Sequence, residues 1–169
     1  MRPTIDCPTP DPRRRRLLST AVLSAVLPAQ AGDAGAEISA LLLDGSRWTT
    51  EQHRGRVLLI NFWATWCAPC LLEMPEIDAY FRQHRARGFE VLALSADDPA
   101  ELAKVREAAR PYSFPVGLMK QARLSGFGRI WRLPVSAVID REGRLVQHDW
   151  FVEPRLDAAA LDAVIKPLL

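Results

Sequence analysis

The fold is decided by the stretch from Val57 to Cys70, which reads VLLINFWATWCAPC. Val57–Trp63 is apolar except for Asn61, and a nearly continuous apolar run of this length is typical of a strand whose two faces are covered by helices. Cys67 and Cys70 follow within a few residues. The sequence therefore predicts a buried strand, a turn, and a helix that begins at the cysteine pair.

The helix is predicted from Cys67 to about Arg87. Its apolar residues Ile77 and Phe81 are one helical turn apart, and the next residue after it, Gly88, is of a type that commonly ends a helix. Pro75 lies inside the helix, and an interior proline costs about 3 kcal/mol or more because it removes a backbone hydrogen bond. We therefore expect the helix to continue with a kink at this proline.

Strand and helix patterns continue on both sides of this segment. Upstream, Leu41–Leu43, the dipeptide Asp44-Gly45 and Trp48 are typical of a hairpin with a tight turn. Downstream, the patterns predict strands at Glu90–Ser95, 116–118, Val135–Ile139 and Leu145–Phe151, helices at 98–109 and 161–168, and a short helix around Leu124. Helical crossovers imply parallel strands at the centre of the sheet, and the later hairpin adds antiparallel strands at one side. The predicted fold class is α/β with a central mixed sheet.

Composition and charge exclude several classes of protein. The 169 residues are 49% hydrophobic and 25% charged, which fits one globular domain with a short appendage and excludes a disordered chain. The net charge is +2, and residues 1–31 contribute +3 of it through five arginines and two aspartates. The remaining chain therefore carries a net charge of −1, so it lacks the basic footprint of a nucleic-acid-binding protein.

The first 31 residues have the pattern of an export signal. Arg13–Arg16 precede an apolar stretch at 17–27, and 29–31 form an Ala-x-Ala cleavage site. The arginine run fits either twin-arginine or general secretory export. An uncleaved anchor is the alternative, although the apolar stretch is shorter than the roughly 17 residues that a membrane span requires.

We therefore predict an export signal at 1–31, a linker at 32–37 and a globular domain at 38–169. This organisation places the domain in the periplasm or elsewhere outside the cytoplasm. Membrane contact is expected only through the signal segment, if that segment is not cleaved.

The cysteine count favours a redox pair. Cys7 would leave with the signal, so the mature domain keeps only Cys67 and Cys70. Two cysteines are too few for a disulfide framework or a four-cysteine zinc site, and a structural disulfide across so short a loop gives little stabilisation. A Cys-x-x-Cys pair beside a strand-helix-strand pattern instead favours thiol-disulfide exchange. We interpret the histidines, which lack the close spacing of zinc ligands, as surface residues: His53, His84 and His148.

The start of a helix supports the chemistry of such a pair. Unpaired backbone N–H groups and the helix dipole stabilise an anion there, so the first cysteine can ionise below the usual thiol pKa of about 8.5. Cys67 is predicted to be the attacking thiolate, and Cys70 is predicted to resolve the mixed disulfide. We expect neither a cofactor nor a metal, because the sequence has no nicotinamide or flavin motif and no zinc-ligand spacing.

The segment Asn61–Cys70, together with Pro75, looks like the active-site segment of thioredoxin-fold proteins. More narrowly, Glu73-Met74-Pro75 resembles the exported TlpA/ResA-like reductases, which include the cytochrome c maturation thioredoxins. The resemblance covers residues 38–169. It implies a thioredoxin-like fold, in which helices flank a central mixed β-sheet that carries an N-terminal hairpin extension.

The resemblance also implies roles for residues near the cysteines. Pro134 takes the family's cis-proline position facing the disulfide, and a trans turn proline is the alternative. A glutamate at the position of Glu73 tunes the cysteines and relays protons in the family, and a solvated helix carboxylate is the alternative. Asn61 stands where thioredoxin has a buried aspartate, which removes one possible proton acceptor. We interpret Trp63 as a core residue.

The sequence departs from the cytochrome c maturation branch just before Pro134. The stretch Gly128–Pro134 lacks the Gly-Val-x-Gly-x-Pro pattern of that branch, so the client protein stays open. Arg132 and Leu133 would instead give a docking surface a cationic and an apolar neighbour. The rest of the predicted docking surface is Trp66, Ala68 and Pro69.

These features predict an extracytoplasmic enzyme that reduces the disulfides of client proteins, for example in cytochrome c or copper-site maturation. The resemblance implies that a membrane thiol-reductant protein resupplies the electrons. A disulfide-forming oxidase uses the same atoms and remains an alternative. A copper metallochaperone of this fold generally has Cys-x-x-x-Cys spacing, so the spacing here disfavours it, and Cu(I) binding through His148 would revive it. A one-cysteine peroxidase is disfavoured because Cys70 lies in the same turn as Cys67.

Overall fold

A computed structural model describes residues 35–151 and 155–169 of the chain. The predicted export signal at 1–31 and the first half of the predicted linker at 32–37 lie outside the described residues. The first strand takes in Glu37, the last residue of the predicted linker, and Ala36 before it is buried.

The described residues form seven strands and three α-helices. The strands are β1 (Glu37–Leu42), β2 (Arg47–Thr49), β3 (Val57–Trp63), β4 (Phe89–Ser95), β5 (Val116–Ser125), β6 (Val135–Ile139) and β7 (Leu145–Trp150). The α-helices are α1 (Ala68–His84), α2 (Leu102–Ala109) and α3 (Ala158–Ile165), with 3-10 turns at Glu51–His53, Arg85–Arg87, Pro99–Glu101 and Lys166–Leu168.

All seven strands join one mixed sheet in the order β2-β1-β5-β4-β3-β6-β7. β3 pairs in parallel with β4, and β4 pairs in parallel with β5, because α1 and α2 carry the chain back between these strands. β6 and β7 form an antiparallel hairpin beside β3, and β1 and β2 form another beside β5. This arrangement confirms the predicted mixed sheet, with the parallel strands β5, β4 and β3 at its centre and the N-terminal hairpin as an extension.

The short helix predicted around Leu124 is wrong, because β5 continues as a strand to Ser125. Its second half pairs antiparallel with β1, where Leu124 lies opposite Ile38 and Ala122 lies opposite Ala40. This half contains several good helix formers, such as Lys120 and Gln121, so its local propensity favours a helix. Pairing with β1 overrides that preference, and no pattern within the segment signals the partner strand.

The sheet buries both of its faces, but the three helices supply side chains to only one of the two core clusters. Along β3 the apolar residues alternate between the clusters: Val57, Leu59 and Trp63 point to the helices, whereas Leu58, Ile60 and Phe62 point to the other face. Among the described residues, that second cluster also takes side chains from the β1–β2 hairpin and from the 126–133 connection, which contributes Phe127 and Ile130. The expected helical cover on both faces is therefore wrong, although Trp63 is in the core as predicted.

Helix α1 begins and ends where its sequence signals predict. Cys67 is its N-cap, the helix runs through the exposed Pro75, and a 3-10 turn leads to Gly88, which has a φ of 92°. The interpretation of His84 as a surface residue is wrong. The imidazole of His84 is buried, it stacks on the Tyr80 ring with 4.0 Å between ring centroids, and its Nδ1 lies 3.0 Å from the Tyr80 carbonyl oxygen.

Gly117 allows β1 and β5 to approach closely, and its replacement by alanine should destabilise the fold. A Cβ added there would lie 2.8 Å from the carbonyl oxygen of Leu41, which is backbone and cannot turn away. We expect the free energy of unfolding in urea to fall by about 1 to 3 kcal/mol. The exposed Ser125→Ala in the same strand is the control, and it should change that free energy by less than about 0.5 kcal/mol. Equal losses in both variants would contradict this explanation.

Candidate active site

A disulfide between Cys67 and Cys70 lies at the junction of β3 and α1. The two Cα atoms are 5.3 Å apart, and the backbone N–H of Cys70 donates to the Cys67 Sγ at 3.3 Å. Cys67 is 6% exposed and Cys70 is 1% exposed. The sulfur of Cys67 therefore takes the N-cap position, where it satisfies a backbone donor that the helix itself leaves unpaired.

The first turn of α1 favours an anion at this sulfur. Ala68 and Pro69 occupy the first two helical positions, and Pro69 is tolerated there because its missing N–H would have had no partner inside the helix. The helix has no acidic residue in its first turn. The positive end of the helix dipole thus faces Cys67 without an opposing helix carboxylate, which favours the thiolate once the disulfide is reduced.

The peptide bond between Leu133 and Pro134 is cis, as the family resemblance implies. Pro134 is buried and directly precedes β6, the strand that pairs with β3 on the side opposite to β4. Leu133 packs against the core cluster that contains both cysteines. The strand order thus brings the proline loop to the region of the disulfide, across more than sixty residues of sequence.

Glu73 is a buried carboxylate on the helix turn after Cys70. It is 3% exposed, and its Oε1 accepts the backbone N–H of Leu156 at 2.9 Å. Burial raises the pKa of Glu73 to about 6, because the hydrogen bond from Leu156 only partly offsets the loss of water. The solvated helix carboxylate that the sequence allowed is therefore wrong, and Glu73 titrates close to neutral pH.

Comparison with known proteins shows the family of the chain. The family model described as AhpC/TSA matches residues 31–148, which is more than half of the chain. The chain belongs to the AhpC/TSA family. The predicted resemblance to ResA is confirmed, because a thiol-disulfide oxidoreductase ResA of Bacillus cereus is 34% identical over 107 residues. That match covers 62% of this chain and 61% of the relative, so the chain spans less than two thirds of the relative's length.

Solved structures confirm the thioredoxin-like fold of this AhpC/TSA family member. A thiol:disulfide interchange protein of the thioredoxin family from Chlorobium tepidum TLS superposes with a TM-score of 0.65 at 23% identity, covering 79% of this chain and 94% of that one. A secreted disulfide oxidoreductase of Mycobacterium tuberculosis superposes with a TM-score of 0.59 at 13% identity, covering 74% of this chain and 91% of that one. At these identities the likeness concerns the fold alone.

Asn61 places an uncharged amide inside the sheet on β3, the strand that leads to the active-site turn. It is 2% exposed, and its Nδ2 donates to the Ser136 Oγ at 3.1 Å across the β3–β6 pair. Its Oδ1 accepts no hydrogen bond from any of the described residues. An amide does not titrate, so Asn61 cannot accept a proton from the cysteines. On α1, Glu73 is the buried carboxylate nearest to them in sequence.

Three of the five predicted docking residues are exposed, whereas Arg132 and Leu133 are half-buried. Trp66 is 68% exposed, and Ala68 and Pro69 beside it are exposed as well. The Arg132 guanidinium, however, pairs with the Asp149 carboxylate at 3.1 Å. It therefore adds less positive charge to this surface than the sequence implies.

The sequence interpretation missed an aromatic sandwich around Arg132. Its guanidinium lies 5.0 Å from the ring centroid of Trp131 and 4.8 Å from that of Phe151. Trp131 is 68% exposed, as much as Trp66. The tryptophan three residues before Pro134 could have been recognised from the sequence as a candidate docking residue. The position of Phe151 next to Arg132 is evident only from the fold.

Two further site types are absent from the described part of the chain. Within residues 35–151 and 155–169, no group of three or more His, Cys, Asp or Glu side chains is arranged to hold a metal ion. Over those same residues, no helix combines the length and the apolar character needed to cross a bilayer.

The raised pKa of Glu73 predicts a specific pH dependence of stability. Since the pKa in the folded state is about 6 and the ordinary value is 4.5, the folded state binds this proton more tightly than the unfolded state. The stabilisation is complete below pH 4.5 and is lost as the pH rises through 6, a change on the order of 2 kcal/mol. Urea unfolding of the oxidised chain between pH 4.5 and 7 should show this loss, and Glu73→Gln should remove it.

The matched control for this measurement is Glu76→Gln, on the more exposed side of the same helix. Glu76 pairs with Arg155 at 3.7 Å at the surface, so the substitution also removes a helix carboxylate. This variant should keep the pH dependence of the unsubstituted chain. If Glu73→Gln also kept it, the assignment of the titration to Glu73 would be wrong.

Proposed function

We propose that this chain is an extracytoplasmic thiol-disulfide oxidoreductase that reduces protein disulfides through Cys67 and Cys70. The observation that carries the proposal is the disulfide at the start of α1, next to the cis-proline loop at Pro134. An enzyme that exchanges disulfides needs a sulfur that ionises easily and a second thiol one turn away, and this junction provides both.

The proposed reaction begins from the reduced pair. The Cys67 thiolate attacks one sulfur of the client disulfide, a Cys67–client S–S bond forms, and the other client sulfur leaves as a thiolate that takes up a proton. Cys70 then loses its proton and attacks the Cys67 sulfur, which releases the second client thiolate and closes the Cys67–Cys70 bond. Two electrons pass from the dithiol to the client, so the client is reduced and the enzyme is oxidised.

Glu73 is the proposed acceptor of the Cys70 proton. It lies one helical turn beyond Cys70, and with a pKa of about 6 its carboxylate is largely ionised at neutral pH yet still able to hold a proton. Its hydrogen bond from the Leu156 N–H holds one carboxylate oxygen in place. Because Cys70 is only 1% exposed, bulk water has little access to the proton of its thiol.

Client docking is proposed at the exposed and half-buried residues around the disulfide. Trp66, Ala68 and Pro69 lie on the helix side, and Leu133 leads into Pro134. Trp131 extends this surface, and its ring is held by stacking on Arg132. Since the Arg132 charge is paired with Asp149, this surface is suited to an apolar or aromatic segment of a client more than to an acidic one.

The relatives support the wider setting of this proposal. A relative named thiol-disulfide oxidoreductase ResA is identical to this chain at 34% of the 107 matched residues, and the predicted export signal at 1–31 supports a site of action outside the cytoplasm. In such a compartment the oxidised pair must be reduced again, so we propose a membrane thiol-reductant protein as electron donor. We propose clients in which cysteines must be reduced before haem or copper is attached.

The reduction potential of the Cys67–Cys70 couple separates this proposal from its main alternative, a disulfide-forming oxidase. Equilibration of the chain with glutathione and dithiothreitol buffers, followed by quantification of the two thiols, should give a value near about −270 mV, as for a reductase. A value near about −120 mV would overturn the proposed direction of electron flow. The Cys70→Ser variant is the control, because it has no internal couple to titrate.

A trapping experiment tests the docking surface. In a Cys70→Ser background the reaction should stop at the mixed disulfide, so that reduced Cys67 accumulates a covalent adduct with insulin, used here as the probe. Adding Trp131→Ala should slow adduct formation by about fivefold to tenfold, the loss typical of an aromatic contact residue.

The control in that experiment is Leu41→Ala, which removes an apolar side chain that is 43% exposed on β1. It should leave the rate of adduct formation unchanged, because β1 lies on the opposite side of β5 and β4 from the disulfide strand. Equal rates for Trp131→Ala and Leu41→Ala would remove Trp131 from the docking surface.

A further inference from the structure

Asp97 is a buried carboxylate that follows β4 and forms hydrogen bonds to the turn at 64–67, which leads into α1. It is 2% exposed. Its Oδ2 accepts the backbone N–H of Thr65 at 2.9 Å, and its Oδ1 accepts the Thr65 hydroxyl at 2.6 Å. The Ser95 hydroxyl donates to Oδ2 as well, at 2.5 Å. Both oxygens of Asp97 are thus bound to one residue of the turn, which fixes that residue in two directions.

Thr65 lies two residues before Cys67 and directly before the exposed Trp66. The turn is closed by a hydrogen bond from the Cys67 N–H to the Ala64 carbonyl oxygen at 3.1 Å. The Ala96 N–H donates to the Trp63 carbonyl oxygen at 2.8 Å, which ties the end of β3 to the end of β4. Asp97 therefore connects the β4 end of the sheet to the residues that deliver Cys67 to the start of α1.

The carboxylate also brings a charge close to the reacting sulfur. Burial alone would raise the pKa of Asp97, but hydrogen bonds from Ser95 and Thr65 outweigh burial and hold the pKa below its usual value. Asp97 is consequently ionised at neutral pH. The Asp97 carboxylate lies 2.9 Å from the Thr65 nitrogen, and the two residues from Thr65 to Cys67 span at most about 7 Å, so this negative charge lies within about 10 Å of the Cys67 backbone. Such a charge opposes the formation of a thiolate.

We infer that Asp97 is a positioning residue for the exchange reaction: through Thr65 it holds the turn that presents Cys67, and its negative charge moderates the ionisation of that cysteine. The role does not require Asp97 to touch the client. The inference rests on the proposed role of Cys67 as the attacking thiolate, and it adds the residue that controls the placement and the acidity of that sulfur.

Asp78 provides a matched control. It is likewise buried, at 1% exposed, and its Oδ1 accepts both the N–H and the hydroxyl of Ser113, each at 2.7 Å. It also pairs with Arg82. Asp78 lies eight residues beyond Cys70 on α1, a distance of about 12 Å along the helix. Asp78→Asn therefore disturbs an equivalent buried contact without touching the active-site turn.

The experiment measures two properties of the full chain after reduction. The first is the pH profile of Cys67 alkylation by iodoacetamide, followed by mass spectrometry of the peptide that contains it so that Cys7 does not interfere. The second is the rate of insulin reduction at neutral pH. Both are compared for the unsubstituted chain, Asp97→Asn, Thr65→Val and Asp78→Asn, under conditions where each variant is folded by circular dichroism.

We expect Asp97→Asn to lower the pKa of the Cys67 thiol by about half a unit or more, because a nearby negative charge is removed. Thr65→Val keeps the charge but loses one hydrogen bond, so it should slow insulin reduction by about fivefold or more without lowering that pKa. Asp78→Asn should change neither property. A purely structural role for Asp97 would not move the alkylation profile.

The inference is overturned if Asp97→Asn has the same alkylation profile as Asp78→Asn. If Asp97→Asn does not fold, Thr65→Val decides: a rate equal to that of the unsubstituted chain overturns the inference, and a fivefold loss supports it. The unsubstituted chain tests the underlying proposal separately. Preferential alkylation of Cys70 there would reject Cys67 as the attacking thiolate, whatever the variants show.

Discussion

The junction between β3 and α1 is the constraint on which the rest of the structure depends. β3 is buried along its whole length between β4 and β6, so its last residue has a fixed position where the strand ends. The chain must then leave the sheet and start a helix within four residues, which places Cys67 at the N-cap of α1. The placement of the cysteine pair thus follows from a packing requirement, because the buried strand holds the start of α1, and with it the positive end of the helix dipole, at Cys67.

Around this junction the protein buries several polar groups, and most of them are bound to backbone atoms or hydroxyls from distant parts of the chain. Glu73 accepts from the N–H of Leu156, and Asp97 accepts from Thr65. Their pKa values move in opposite directions, because Glu73 gains one hydrogen bond and Asp97 gains several. The protein therefore contains one buried carboxylate, Glu73, that titrates near neutral pH, and another, Asp97, that stays ionised there.

The two faces of the sheet serve different purposes. The helix-side cluster contains both cysteines, so the redox pair is part of the main core. On the other face, among the described residues, the connection between β5 and β6 packs Phe127 and Ile130 against side chains of the strands. That connection must cross β4 and β3 to reach β6, since β5 and β6 lie on opposite sides of those two strands. This crossing carries the chain to Pro134 beside the active-site turn and leaves Trp131 exposed.

The sequence by itself determined β3, the start of α1 and the cysteine pair, because each depends on neighbouring residues or on a motif of fixed spacing, and the family resemblance added the cis-proline. The tertiary structure alone decided the strand conformation around Leu124, the burial of Glu73 and the pairing of Arg132 with Asp149. These features depend on partners far away in the sequence. Local propensity and spacing carry no information about which strand lies alongside, how much water a side chain loses, or which opposite charge it meets.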